Sequence, residues 1–342
     1  MSASDHHDTP GVSASGVVYS LMTLFCWTVT PLFVEYLTGL FDVWESNGWR
    51  YGMAALVWLP MLIMTIAKGD LPGSIWKRAL IPAFFSVIAQ VAFVAAFYQI
   101  EPGMLSIGLR VQMVATAIGA YFLFPGERPI IRKPTFLIGA VAIMLGVIGV
   151  AYFADTEGEA RAAQLKGTLL AMVAGAGYAG YAMGVRKCLA GVSARISFSV
   201  ISLYVGGAMV GLMIWRGQDP VTSLRALDGG QWVLLLLSVA FGLALGHVLY
   251  FTAMEKLGVS AASGVIQLQP LTVAVGSYFA FGEILNGKQI GSGLMAIAGA
   301  GIMLYTQHAV SKQRKVHAMR ELDELPVDPP VAMEEAERVS ER

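Results

Sequence analysis

Four ionisable side chains stand inside apolar stretches of this 342-residue chain: Glu35, Arg50, Arg110 and His247. A charge at the centre of a bilayer costs about 2.5–3.5 kcal/mol on insertion scales, so such a residue normally faces a cavity or a partner. Arg110 is the most telling. Its stretch, MLSIGLRVQMVATAIGAYF, places the small residues Ser106, Ala117 and Ala120 around it. A guanidinium offers a planar fork that fits a carboxylate with two hydrogen bonds. The alternative is an ion pair with Glu35, which lies at a similar depth, as does Arg50, when each stretch is laid out at 1.5 Å per residue. Arg50 reads as the other partner of Glu35 or as a side chain that snorkels to the headgroups. His247 is the one histidine away from the ends of these stretches, with Gly242 and Gly246 leaving room beside it. Its titration range suits a proton-coupling group, and the plainer reading is a neutral ring bonded to a neighbouring helix.

Uncharged polar and aromatic residues gather deeper. Trp27, Gln90, Gln112, Tyr178, Tyr181, Gln267 and Gln269 fall near the middle of their stretches. A glutamine at such a position commonly bonds to a neighbouring helix. Amides and aromatics from several stretches at one depth, however, are what a small-molecule site of apolar walls and few polar groups requires. Trp27, Gln90, Arg110, Tyr178, Tyr181 and Gln267 are therefore the candidate substrate-binding residues, with His247 the candidate for proton coupling.

The elements that must position these residues are long apolar helices. Hydrophobic residues make up 56% of the chain and charged ones 13%, against about 25% charged in soluble domains. The apolar residues fall into ten runs of about 20, the length that crosses the hydrocarbon. They are approximately 16–38, 45–66, 79–99, 104–124, 134–154, 166–187, 195–215, 231–254, 259–282 and 288–308. The fold class expected is all-α: ten transmembrane helices in two inverted five-helix repeats around a central cavity.

The repeat is visible in the letters. AYFLFPGERP, from Ala120 to Pro129, returns as SYFAFGEIL from Ser277 to Leu285, and Gly16–Trp27 has the same spacing as Gly167–Tyr178. The units expected are a first repeat over 16–154, a linker over 155–165 and a second repeat over 166–308. Residues 1–15 form a cytoplasmic lead and 309–342 a disordered, partly acidic tail. Five spans per half force the second copy into the membrane upside down, the arrangement that gives related gates on opposite sides of one central site. With the N-terminus inside, fourteen Lys and Arg up to Arg320 fall in inner segments and five in outer ones. That asymmetry puts both termini in the cytoplasm.

Glu127 and Glu283 close the two repeated turns, where a carboxylate favours the exposed N–H groups of a helix start. With Glu35 and Arg50 they are read as structural or gate charges. Cys26 and Cys188 lie in spans and suggest no disulfide. There is no Cys/His cluster with metal spacing; His6-His7 in the lead is too isolated to count, so neither metal nor cofactor is expected. No Walker-type loop is present, so ATP is not the direct driver. A net charge of zero offers nothing to nucleic acid.

The pattern resembles the ten-span drug/metabolite transporter superfamily, in particular its EamA-type exporters. The residues that carry the resemblance are Trp27, the segment WRYGMAAL that opens the second run, and the paired turns Gly126-Glu127 and Gly282-Glu283. The resemblance implies a bundle whose cavity is lined mainly by spans 1, 3, 4, 6, 8 and 9. It also implies export of small metabolites, often amino acids or drug-like compounds, by exchange or proton coupling. Many relatives carry a lysine near the end of the first span, where this chain has Glu35. The expected function is secondary export of a small organic solute across a bacterial inner membrane, with the solute and the bilayer as its partners and no oligomer required. A passive facilitator of the same fold is the alternative. A lipid-modifying enzyme is a further one, disfavoured because no cluster of acid/base residues lies inside the spans, and no catalytic residue is assigned.

Overall fold

The computed structural model describes residues 14–257 and 259–323. His6-His7 and the acidic tail beyond Asp323 lie outside the described residues. The described chain holds ten helices long and apolar enough to cross a membrane: Ala14–Thr38, Val43–Ala67, Ile75–Phe97, Pro102–Leu123, Pro134–Tyr152, Gly158–Cys188, Arg195–Arg216, Gly229–Leu257, Ala261–Phe281 and Gly287–Gln313. They are spans 1 to 10. Large apolar side chains such as Phe122, Ile214 and Phe279 are exposed on them, as a surface solvated by lipid requires.

Connections alternate between two faces. One carries Lys68, Arg128, Arg186 and Lys256 and is called the basic face; the other carries Asp42, Glu101, Asp155 and Glu283 and is called the acidic face. Three spans that start at the acidic face are fixed by reciprocal caps. Asp42 Oδ1 accepts from the N–H of Trp44 (2.7 Å) and Glu45 (2.8 Å), and Glu45 returns a carboxylate oxygen to the N–H of Asp42. Asp228 with Gln231 and Asn286 with Gln289 do the same for spans 8 and 10. Each pair satisfies helix-start donors that have no partner within their own helix.

The helix packing has the symmetry of the sequence repeat. The most extensive contacts join span 5 to 10, 3 to 6, 2 to 7 and 1 to 8. Exchanging each span with its counterpart five places on leaves 5–10 and 2–7 unchanged and turns 3–6 into 8–1. Spans 4 and 9, which also map onto each other, touch near the centre. Close approach depends on small residues: a Cβ added to Gly139 in span 5 would stand 2.7 Å from the Gly299 carbonyl oxygen in span 10, and one added to Gly299 would stand 2.6 Å from that of Gly139. Backbones meeting this closely gain dispersion contact without needing a hydrophobic drive.

Two boundaries differ from the sequence reading. The sixth span starts at Gly158 rather than 166, because Arg161 and Gln164 bond the Ala151 carbonyl and tie the polar first turns back to span 5. The last helix runs to Asp323, so 309–323 is helical where disorder was expected. That stretch has neither glycine nor proline before Pro326, and its Lys, Arg, Glu and Ala content favours helix.

Candidate functional site

Spans 4 and 9 are broken at matching places. Span 4 is helical over Pro102–Gly108, turns at Leu109–Arg110, and resumes over Val111–Leu123. The Arg110 N–H bonds Ile107 O (3.0 Å) and the Gln112 N–H bonds Leu109 O (2.9 Å), three-residue steps in place of helical four-residue ones. Span 9 is helical to Ile266, steps from Leu268 N–H to Val265 O (3.1 Å), and resumes over Gln269–Phe281 with Pro270 in its first turn. Proline has no N–H to donate and suits that position.

The offset that pairs Tyr121 with Tyr278 also pairs Arg110 with Gln267 and Gln112 with Gln269. Arg110 Nη1 donates to Gln267 Oε1 at 2.9 Å and Nη2 to Gln269 Oε1 at 2.9 Å, while Nε reaches Ser106 O at 3.4 Å. Two symmetry-related positions in contact lie on the approximate two-fold axis, so the buried Arg110 occupies the centre of the bundle. Gln269 Nε2 donates in turn to Trp27 O at 2.8 Å. The fork is held by two neutral amides, and among the described residues no carboxylate lies within ion-pair distance of it.

Trp27 extends this centre along span 1. Its indole packs against His247 (5.6 Å between ring centres) and Tyr250 (5.1 Å), and His247 lies against Phe198 at 4.9 Å. His247 Nδ1 is buried with no hydrogen-bond partner, so the reading of a ring bonded to a neighbouring helix finds no support at that atom. A π-helical segment, Ala240–Leu245, precedes it in span 8. Trp27, Arg110, Gln267 and His247 thus form one connected group. Tyr178 packs on Phe93 and on the cluster that contains Leu109. Tyr181 joins the cluster around Tyr51, and Gln90 is linked through its carbonyl to Asn47 Nδ2 at 3.5 Å. These three flank the centre on the side where spans 3 and 6 meet.

The expected roles of Arg50 and Glu35 change. Arg50 does not snorkel: it is 1% exposed, with Nε donating to Ser238 Oγ at 3.2 Å across to span 8. Glu35 pairs with neither arginine, and its buried Oε2 has no partner. Among the described residues the ion pair present is Arg186–Glu127, at 2.7 Å on the basic face, with Arg186 lying over the Phe124 ring at 4.1 Å.

Glu283 also departs from expectation. Glutamates after the repeated turn were expected to serve the helix that follows, but Asn286 caps span 10. Gly282 ends span 9 in the left-handed region, φ 73°. Glu283 then reaches across to the other repeat, its Oε2 and Oε1 accepting from the N–H groups of Gly103 (2.8 Å) and Met104 (3.0 Å) at the start of span 4. A Cβ at Gly103 would lie 2.6 Å from both carboxylate oxygens, so only glycine admits the contact. Burial pushes the Glu283 carboxyl above its ordinary range, against the pull of the two amide bonds. Burial and the charge of Glu283 raise the Glu101 carboxyl as well.

A protein-family model described as the EamA-like transporter family matches residues 14–152 and again 165–305. The chain belongs to the EamA-like transporter family. It is a multi-pass membrane protein built from two copies of the family's unit. No curated protein sequence matches it. Among solved structures it is similar to a chain described as "Crystal structure of protein", with a TM-score of 0.57 and 15% identity over 86% of this chain and 99% of that one; that likeness concerns the fold alone.

The breaks in spans 4 and 9, the π-helical segment of span 8 and the inter-repeat reach of Glu283 were missed from sequence. Pro270 directly after Gln269 was a signal for the break in span 9. Glycine next to the apolar run at Gly108 was a weaker one for span 4.

Proposed function

We propose that this EamA-like protein is a secondary transporter that exports a small organic solute bearing a carboxylate or similar anion, by alternating access around Arg110. The observation that carries the reading is the Arg110 fork at the meeting point of two broken helices, buried and held by neutral amides. A guanidinium so placed is desolvated and offers charge to a ligand that brings its own negative group. Broken helices near the midplane are the usual place for substrate in repeat-built transporters, because freed backbone groups there are tolerated only where protein or a cavity covers them. Trp27, Tyr178 and Tyr181 would supply apolar walls, and Gln90 and Gln267 polar contacts. His247 is the proposed group for proton coupling.

The excess of Lys and Arg supports the basic face as the cytoplasmic one, in an inner membrane, with both termini inside. The Glu283 clasp on span 4 favours a conformation shut at the acidic face, so that solute enters from the cytoplasmic side. Two experiments test this reading. Cysteines at Lys187 and Asp219, probed with an impermeant thiol reagent on intact cells, should label at Asp219 only. Binding of carboxylate-bearing solutes to purified protein should depend on Arg110; binding that is indifferent to Arg110→Lys would remove the proposal.

A further inference from the structure

Arg50 is a second guanidinium without an ionic partner among the described residues, and it is buried more completely than Arg110. Nε bonds Ser238 Oγ, but Nη1 has no hydrogen-bond partner, and neither does the hydroxyl of the adjacent Tyr51. The surroundings are neutral, and a buried cation left uncompensated is strongly unfavourable. Unused buried donors of this kind are suited to an anion.

The position of Arg50 ties it to the site around Arg110. Arg110 reaches span 1 at Trp27 O through Gln269. About one turn further along, the Gly242 backbone lies beside both Arg50 and Thr30: a Cβ on Gly242 would be 3.5 Å from Arg50 Nη2 and 3.1 Å from Thr30 Oγ1. Trp27 and Thr30 are neighbours on one helical face. Each guanidinium is therefore linked to the same turn of span 1, Arg110 through Gln269 and Arg50 past Gly242. Gly242 belongs to the π-helical segment of span 8, a local widening that occurs frequently at functional sites.

We propose that Arg50, with Tyr51 Oη, is a second anion-recognising point of the same site, so that the solute carries two acidic groups, as a dicarboxylate or an acidic amino acid does. This rests on the reading that Arg110 takes an anion. It predicts that a solute with one acidic group binds through Arg110 alone, and that a second acidic group adds a charge-assisted contact at Arg50.

The test uses the full chain in lipid nanodiscs, with glutarate and butyrate as probes and chloride as a control, read by thermal denaturation and titration calorimetry. Glutarate should bind roughly ten- to a hundredfold tighter than butyrate, the increment of one added charged contact. Arg50→Gln should erase that margin and leave butyrate binding unchanged. Because it removes a buried unpaired charge, it should leave the melting temperature of the unliganded protein equal to or above that of the original chain. Equal binding of the two acids by the original chain would overturn the proposal while leaving Arg110 as the anion site. So would an Arg50→Gln protein that melts lower and keeps the margin, since Arg50 would then be structural. Chloride binding with the same dependence on Arg50 would also overturn it in favour of a resident inorganic ion. Failure of both acids to bind would remove this proposal and the anion reading of Arg110 together.

Discussion

The carboxylate of Glu283, beyond the end of span 9, accepts the N–H of Gly103 at the start of span 4, at 2.8 Å. The contact joins the two repeats at the acidic face. Across the molecule, on the basic face, its sequence counterpart Glu127 pairs with Arg186. The same Gly-Glu turn thus has two different partners in the two copies, and the conformation differs with it: Gly282 is left-handed, whereas Pro125–Glu127 forms a short 3₁₀ turn. Equivalent sequence in two environments is what alternating access needs, since each gate must be able to hold in one state and release in the other.

Replacing Gly103 by alanine should break the clasp, because the added carbon would fall 2.6 Å from both carboxylate oxygens. Two charge-assisted bonds are lost, each worth about 1.5–3 kcal/mol. The expected result is a lower melting temperature and faster labelling of a cysteine placed at Leu105, which is fully buried in span 4. Unchanged labelling would show that the acidic face is shut by other contacts.

The clasp should also respond to pH, in a direction fixed by burial. The Glu283 carboxyl is raised when clasped and returns to an ordinary value of about 4.3 when solvated. A raised value means that the clasped form binds the proton more readily. Its stabilisation is full below the ordinary value and is lost as pH rises through the raised one. Glu101, itself raised by burial and by Glu283, contributes in the same sense. Labelling at Leu105→Cys should therefore increase from mildly acidic to alkaline pH, and Glu283→Gln should flatten that dependence. The opposite slope would rule out burial as the dominant cause.

Glu35→Gln should leave solute affinity unchanged. Glu35 is not an ion-pair partner of Arg110 or Arg50, so removing its charge exposes no cation. Calorimetric titration of the variant checks this; a loss matching that of Arg110→Lys would restore the pairing that the sequence suggested.

Gly299→Ala should destabilise the contact between spans 5 and 10. The new methyl would meet the Gly139 carbonyl at 2.6 Å, and overpacking of this kind costs about 1–3 kcal/mol. The melting temperature should fall while solute affinity persists, because the contact is remote from Arg110.

The architecture was legible because helix length and the placement of charges are one-dimensional signals. Ten apolar runs and the repeated turn identify ten spans in two halves without any knowledge of packing. That Arg110 needs a polar partner was also legible, since an arginine in an apolar run has few places to go, but depth along the run put it nearer the end of its span than the middle. Its partners were not legible. Gln267 and Gln269 read as ordinary interhelical glutamines, and only alignment of the two repeats shows that Gln267 is the counterpart of Arg110. Arg50 was misjudged because depth along a helix does not say which face it turns; Ser238, far away in sequence, is what holds it inside. The backbone breaks were hidden for a similar reason. Leu109, Arg110, Gln267 and Leu268 are all acceptable in helices, and tertiary contacts rather than propensity interrupt the hydrogen-bond ladder there.

The central claim is that Arg110 receives the acidic group of the solute between spans 4 and 9. The most direct measurement is a ligand-stabilisation screen of the purified protein against amino acids, carboxylates, nucleosides, sugars and cationic dyes, run in parallel on Arg110→Lys. A lysine keeps the charge and lets the chain fold but cannot reproduce the fork. The stabilising compounds should carry an acidic group, and their affinity should drop roughly ten- to a hundredfold in the variant, the loss of one charge-assisted contact. Stabilisation by neutral or cationic compounds with equal strength in both proteins would contradict the account.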